Sequence, residues 1–406
     1  MSPDEQFPQF DRTERDRRWA RARAVMRDRD LRGLIFFGGL HDRTDVYFAR
    51  ESIPGALVYL PLEGEPMIAT IIGGAAMLRH DEQGRALVDS RWIDDLRVGP
   101  PPLLLADRLR SDGASTARVG AVGLSSMLGV SSALWGAITG LNPTVTWVDV
   151  SDDIAQERLV KSRAELDMFR HAARIGEHAS RAFLDAAVVG ARESDVYAAV
   201  EHEILRRGGH TTWPGMILRS GGPLFGGFTE WGWAGGEPPR LHPGGAIGAE
   251  IFGCYGGMDS QQQMHVRFGT DAEHDRLADA AHEAYLQGVQ ALRPGAMFSE
   301  VAAAMHEPVI EAGFWSRAPM IQTVAPGTYN SAMWVNTRAQ TDLHGLPITH
   351  GLPADGEFEI APGMTFALQP SAIAGVRQVC VGGSVITTDG DCETLNSLAL
   401  RSHIVR

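Results

Sequence analysis

The spacing of apolar residues divides the chain into two regimes. Between Arg12 and about Asp149, short apolar runs alternate with helical stretches. Helical periodicity at Trp19 to Arg32 predicts a helix, and the runs 31–39, 55–61, 65–70 and 145–152 read as buried strands. Elements alternating in this way predict an α/β domain over this part of the chain.

The later regime is built on longer helices. Leu166, Phe169, Ala173, Ile175, Ala179 and Phe183 recur at helical spacing and form one apolar face. Gly190 ends that helix; Ser194, Tyr197, Val200 and Ile204 mark a second, closed by Gly208-Gly209. A similar pair follows at 275–295 and 299–314. Between the pairs, apolar and aromatic residues flank Gly256-Gly257, a two-residue turn signal, so 246–268 reads as a β-hairpin. The stretch 364–390 supplies at least two further strands. Each half thus runs helix, glycine punctuation, helix, strands, as an internal duplication would.

Composition narrows the class. The 406 residues are 44% hydrophobic and 21% charged, ordinary for a globular protein of two domains. A net charge of −13 speaks against a phosphate-backbone footprint, so no nucleic-acid partner is expected. The basic stretch 12–32 is interleaved with acidic and apolar residues and reads as a solvated amphipathic helix. Cys254, Cys380 and Cys392 show no metal spacing, and their odd number argues against a disulfide framework. The polar start has no apolar core of a signal peptide, and no stretch of about 18 apolar residues occurs to span a membrane. A cytoplasmic location is the expectation.

Several short motifs occur in an order that resembles a known family. Arg158, Lys161, Ser162 and Glu165 form an R-x-x-K-S-x-x-E pattern, followed by Gly190–Glu193 as G-x-x-E. Pro294-Gly295, Ala361-Pro362-Gly363-Met364 and Val385-Ile386-Thr387-Thr388-Asp389-Gly390 complete the series. Together they resemble the creatinase/aminopeptidase P/methionine aminopeptidase (pita-bread) superfamily over nearly the whole chain. The resemblance implies an α/β (α+β) fold: a creatinase-like N-terminal domain over 1–153, then a pita-bread domain over 154–406. It also implies a homodimer.

In metallopeptidases of that superfamily, carboxylates and a histidine hold two divalent metals. The corresponding positions here carry Glu250, Gln261, Gln369 and, for the last carboxylate, a residue on or near Val381; the histidine would lie between Val324 and Gly327, where there is none. Amides are neutral and cannot supply the anionic charge that retains a divalent pair. No metal and no other cofactor is therefore expected. The metal-free creatinase pattern does not match either: its positions fall near Trp233 and on Gln263, Gln369 and Val381, with His242 a substitute only if the loop register shifts.

A turn at Gly256-Gly257 would bring Gln261, Gln263 and His265 onto one strand face, with Glu250 across from Gln263. Glu250 and His265 are the candidate catalytic residues, a carboxylate beside an imidazole whose pKa it would raise. A purely structural His–Glu hydrogen bond stands beside that reading. Gln261, Gln263 and Gln369 are candidate ligands of a polar, small-molecule substrate, or relics bonded to each other. The loop 219–240 carries Phe225, Phe228, Glu230, Trp231 and Trp233 among glycines; Glu230, Trp231 and Trp233 are candidate substrate contacts, and a dimer-contact loop is the alternative. Trp213, Trp315 and Trp334 read as core, and His344 with His350 lack the carboxylates of a metal site. The expected function is metal-independent C–N bond hydrolysis of a small polar molecule, as the resemblance to creatinase implies. A lyase or isomerase, a silent ligand-binding protein and a metal-dependent aminopeptidase are the alternatives.

Overall fold

The computed structural model describes residues 7–37, 43–50, 56–71, 92–124, 130–211, 215–222, 229–316, 320–325, 329, 335–336, 341–342 and 358–405, excepting the side chains of 230, 335–336 and 341–342. The chain separates into two compact units, Gln9–Arg158 and a larger one from Leu159 to Arg406 that also includes Phe7 and Pro8. The break lies just beyond the 153/154 boundary expected from sequence.

In the first unit, helix α1 (Arg12–Asp28) begins earlier than its periodicity predicts, because the Asp11 side chain accepts from the Glu14 amide and caps it. Strand β1 (Gly33–Phe37) is buried at every position, as the continuous apolar run requires. Helix α2 (Thr44–Ala49), β2 (Leu57–Pro61), β3 (Met67–Thr70), β4 (Asp95–Val98), α3 (Pro101–Ser111), β5 (Arg118–Val122), α4 (Ser132–Leu141), β6 (Thr146–Asp149) and α5 (Ser151–Glu157) follow. The strands form a mixed sheet in the order β4-β3-β2-β1-β5-β6. One of its faces packs Ile35, Phe37, Leu57 and Tyr59 against Leu105 and Leu109 of α3.

The second unit opens on α6 (Arg163–Ala186). Ser162 and Glu165 of the R-x-x-K-S-x-x-E motif are its capping box: the Ser162 side chain accepts from the Glu165 amide, and the Glu165 carboxylate accepts from the Ser162 amide. Helix α7 (Glu193–Arg206), β7 (Ile217–Ser220), the short α8 (Glu230–Ala234), β8 (Ala246–Tyr255) and β9 (Met258–Phe268) come next. The second helix pair, α9 (Ala272–Ala291) and α10 (Phe298–Glu311), is followed by β10 (Ile321–Thr323), β11 (Val335–Asn336), β12 (Thr341–Asp342), β13 (Thr365–Leu368), β14 (Ser371–Ala374), β15 (Arg377–Cys380), β16 (Ser384–Ile386), β17 (Glu393–Thr394), a 3₁₀ turn and β18 (His403–Val405).

Two four-stranded sheets result among the described residues, β18-β9-β8-β7 and β10-β13-β16-β17. Phe183, Val196 and Val200 of α6 and α7 pack on Ile247, Ile251 and Met264 of the first. Tyr285, Phe298 and Met305 of α9 and α10 pack on Phe366, Leu368 and Val385 of the second. A helix pair over a sheet is thus made twice. No helix among the described residues is long and apolar enough to cross a membrane.

Candidate functional site

The β8–β9 hairpin sets the site. Gly256 and Gly257 both take positive φ, +60° and +79°, which a tight primed turn requires. The ladder that follows pairs Glu250 with Gln263, Phe252 with Gln261 and Gly248 with His265. The expected register is therefore found, and Glu250 also faces Ile217 of β7 across its other edge. Helix α6 can lie close behind because Gly253 offers no side chain: a Cβ there would stand 2.4 Å from the Ala172 carbonyl oxygen.

The three glutamines divide between the two faces of β9. Gln262 turns toward α6, where its Nε2 donates to Ser260 Oγ (2.9 Å) and Asn396 Oδ1 (3.2 Å). Gln261 and Gln263 turn the other way. Gln263 Nε2 donates to Gln369 Oε1 at 2.9 Å, and the Cys380 thiol donates to Gln263 Oε1 at 3.3 Å. Gln322 Nε2 donates to Gln261 Oε1. All of these side chains except Gln322 are buried.

The backbone of this run is clamped as well. Ser384 Oγ accepts from the Gln261 amide (2.8 Å) and donates to the Gln261 carbonyl (3.2 Å), while the Gln263 amide donates to the Gly382 carbonyl (2.8 Å). Gly382 is needed there: its φ is +121°, and a Cβ would meet the Leu368 carbonyl oxygen at 2.0 Å. These contacts join β9 to the segment between β15 and β16.

The side chains of this cluster are neutral donors and acceptors, not the anionic ligands a divalent metal pair takes. Gln369 is engaged with Gln263 and Gln261 with Gln322, and all four amides are uncharged. Among the described residues no three His, Cys, Asp or Glu side chains gather as a metal site would need. Val381, the expected position of the last carboxylate, belongs instead to the apolar core with Val379 and Val385. The neighbouring Cys380 is the residue whose side chain reaches the glutamines.

His265 is buried, with Nδ1 hydrogen bonded to Ser402 Oγ at 2.7 Å and its ring 5.9 Å from that of His274. The expected upward push from a carboxylate is not what acts on it. Burial, helped by the electrostatic influence of His274, Arg267 and His403, holds its pKa down at about 3, against a weaker opposing hydrogen bond with the Gln378 backbone. The imidazole is therefore neutral near pH 7. Together with His274, Arg219, Arg377, Gln378 and Cys380 it lines a cleft at one end of this sheet. Arg377 is neutralised by Asp271 (3.2 Å) and Glu273.

The aromatic loop differs from expectation. Trp231 donates from Nε1 to Glu193 Oε2 (3.1 Å) and meets Tyr197 edge-on, so the indole ties the loop to α7. Trp233 is 71% exposed, and neither tryptophan lines the cleft. An indole with a free N–H is drawn to a buried carboxylate; Glu193, which also accepts from the Ser220 amide (2.6 Å), provides one. His242 is exposed, and Trp315 is half-buried at a bridge with Ile373. The Glu230 side chain, Trp213, Phe225, Phe228, Trp334, His344 and His350 lie outside the described residues.

Cys380, Gln322, Ser384 and Ser402 join the site without having been singled out from sequence. Only Cys380 left a signal there, as a polarisable residue one step from an expected ligand position.

Comparison with known proteins agrees with this architecture. Residues 167–389, more than half of the chain, match metallopeptidase family M24. An uncharacterized hydrolase/peptidase of Sinorhizobium fredii is 29% identical over 181 residues, 42% of this chain and 44% of that protein, so the match spans less than half of that relative's length. The X-Pro aminopeptidase of Thermotoga maritima superposes with a TM-score of 0.73 at 14% identity, covering 95% of this chain and 99% of that one. The dipeptidase PepE of Mycobacterium ulcerans gives 0.69 at 21% identity, covering 98% and 99%. The creatinase-type α/β domain and pita-bread fold implied by the motifs are those of these structures. The chain belongs to metallopeptidase family M24.

Proposed function

We propose that this chain is a hydrolase of its family that cleaves a C–N bond in a small polar molecule without a metal pair. The observation that carries the proposal is the amide network itself. At positions that resemble the family's ligands, Gln263 bonds to Gln369 and to Cys380, and Gln261 bonds to Gln322. A buried cluster of neutral donors and acceptors suits an uncharged or zwitterionic ligand better than cations.

In this reading Glu250 is the primary base, because an imidazole held at about 3 retains little of a transferred proton. Glu250 takes a proton from water as the C–O bond forms. It returns that proton to the departing nitrogen as the C–N bond breaks. His265 is left to donate or accept hydrogen bonds as a neutral ring. Small amides, ureas and amino-acid derivatives screened by thermal shift should yield a ligand, and a product assay on each hit then reads turnover; saturating ligand at a hundred times its Kd raises stability by about 2.7 kcal/mol. Glu250→Gln should abolish turnover of that substrate and His265→Ala should lower it; unchanged turnover in both would refute the assignment. The low basicity of His265 favours one second reading, a ligand-binding protein without turnover, for which hits would bind and no product would form.

A further inference from the structure

The amide chain has a direction and an open end. The Cys380 thiol donates to Gln263 Oε1, so the Gln263 amide nitrogen faces Gln369 and donates to its Oε1. With its oxygen so engaged, Gln369 is left with Nε2, which finds no acceptor among the described residues although the side chain is only 1% exposed. A buried donor without an acceptor costs about 1–3 kcal/mol. An acceptor on a bound ligand would complete it. Cys380, at the other end of the relay, forms part of the wall of the cleft that His265 also lines.

We infer that Gln369 Nε2 is a substrate-binding donor that takes the carbonyl oxygen of a neutral amide- or urea-type ligand. The inference rests on the metal-free reading of the site and narrows its substrate class. A neutral N–H serves a carbonyl oxygen well, and serves it better as negative charge grows there during addition to the carbonyl carbon. A guanidinium group, which offers donors alone, finds nothing to pair with at this point. The relay through Gln263 to Cys380 polarises the donor further, since each bond in a chain strengthens the next.

Gln369→Glu tests this directly. Glutamate keeps the oxygen that accepts from Gln263 Nε2 and replaces the spare donor with a charged acceptor. Binding of N,N-dimethylacetamide, which has an acceptor and no N–H, is measured by ligand-observed NMR in the presence of chelator, with methylguanidinium as the donor-only control. The wild-type chain should bind dimethylacetamide saturably and methylguanidinium not at all, and Gln369→Glu should weaken dimethylacetamide about tenfold or more. Gln369→Met, which removes the donor without adding charge, should do the same, and thermal unfolding of both variants shows whether they fold. Equal dimethylacetamide binding in the folded variants, preference for methylguanidinium, or no saturable binding by the wild type would each overturn the inference. Elemental analysis of the wild type separates the two levels: a metal pair refutes the reading beneath, whereas a metal-free chain with unaffected variants refutes the Gln369 assignment alone.

Discussion

Gly382 shows how much a single position carries. Its carbonyl accepts from Gln263, its φ is +121°, and its missing side chain leaves room for the Leu368 carbonyl. Gly382→Ala forces either a strained backbone or a shifted β13, and the Gln263–Gln369 pair moves with it. A loss of about 3 kcal/mol or more is expected in urea unfolding, well above the typical point substitution. Two buried histidines make a pH prediction of the same kind. His265 is held at about 3 and His306, bonded to Ser316 Oγ at 2.9 Å, at about 4 by burial. In the unfolded chain both titrate near 6.5. Below that value the unfolded state binds more protons, so their contribution falls as pH drops from about 6.5 toward 4 and is complete above 6.5. Urea midpoints at pH 7.5, 5.5 and 4.5 should decline, and His306→Asn should flatten the decline; an unchanged slope would contradict the burial argument.

Among the elements, the hairpin was the most legible in sequence and the β14–β15 region the least, for one physical reason. Gly256-Gly257 allows one turn, and the turn sets the register of every residue behind it, so Glu250 opposite Gln263 followed from the sequence. The last carboxylate position had no such anchor. β15 runs to Cys380 after a turn at Gly375, and a difference of one residue exchanges the two faces of a strand. Val381 consequently enters the core and Cys380 the site. Trp231 escaped for a related reason, since no periodicity on a glycine-rich loop fixes where a side chain points. Packing of α6 on the hairpin gives a test at this scale. Gly253→Ala would place a Cβ 2.4 Å from the Ala172 carbonyl oxygen and 2.6 Å from the Gly176 nitrogen, both backbone atoms that cannot turn aside. The helix must move outward, costing about 1–3 kcal/mol, and amide exchange should rise along α6 and β9 together.

At the scale of the whole molecule, the residues that set the fold are distinct from those that set the candidate site. Capping boxes, glycine turns and helical faces preserve the architecture shared with dipeptidases and aminopeptidases. The candidate site joins neutral amides and the Cys380 thiol, beside a core that holds Val381. One fold can host different sites, since stability and chemistry rest largely on different residues. The fold was legible in the sequence through motif order, and the neutral character of the glutamines through residue identity. The sequence did not disclose which groups these glutamines bond to, because those partners lie far apart along the chain.

Divalent metal content per chain decides whether this site works without a metal pair. The protein is incubated with manganese, cobalt or zinc, dialysed free of unbound ion and assayed by elemental analysis. A content well below one ion per chain is expected with each metal, with an unchanged unfolding temperature. Two ions retained per chain, lost together when Glu250 is replaced by glutamine, would contradict it.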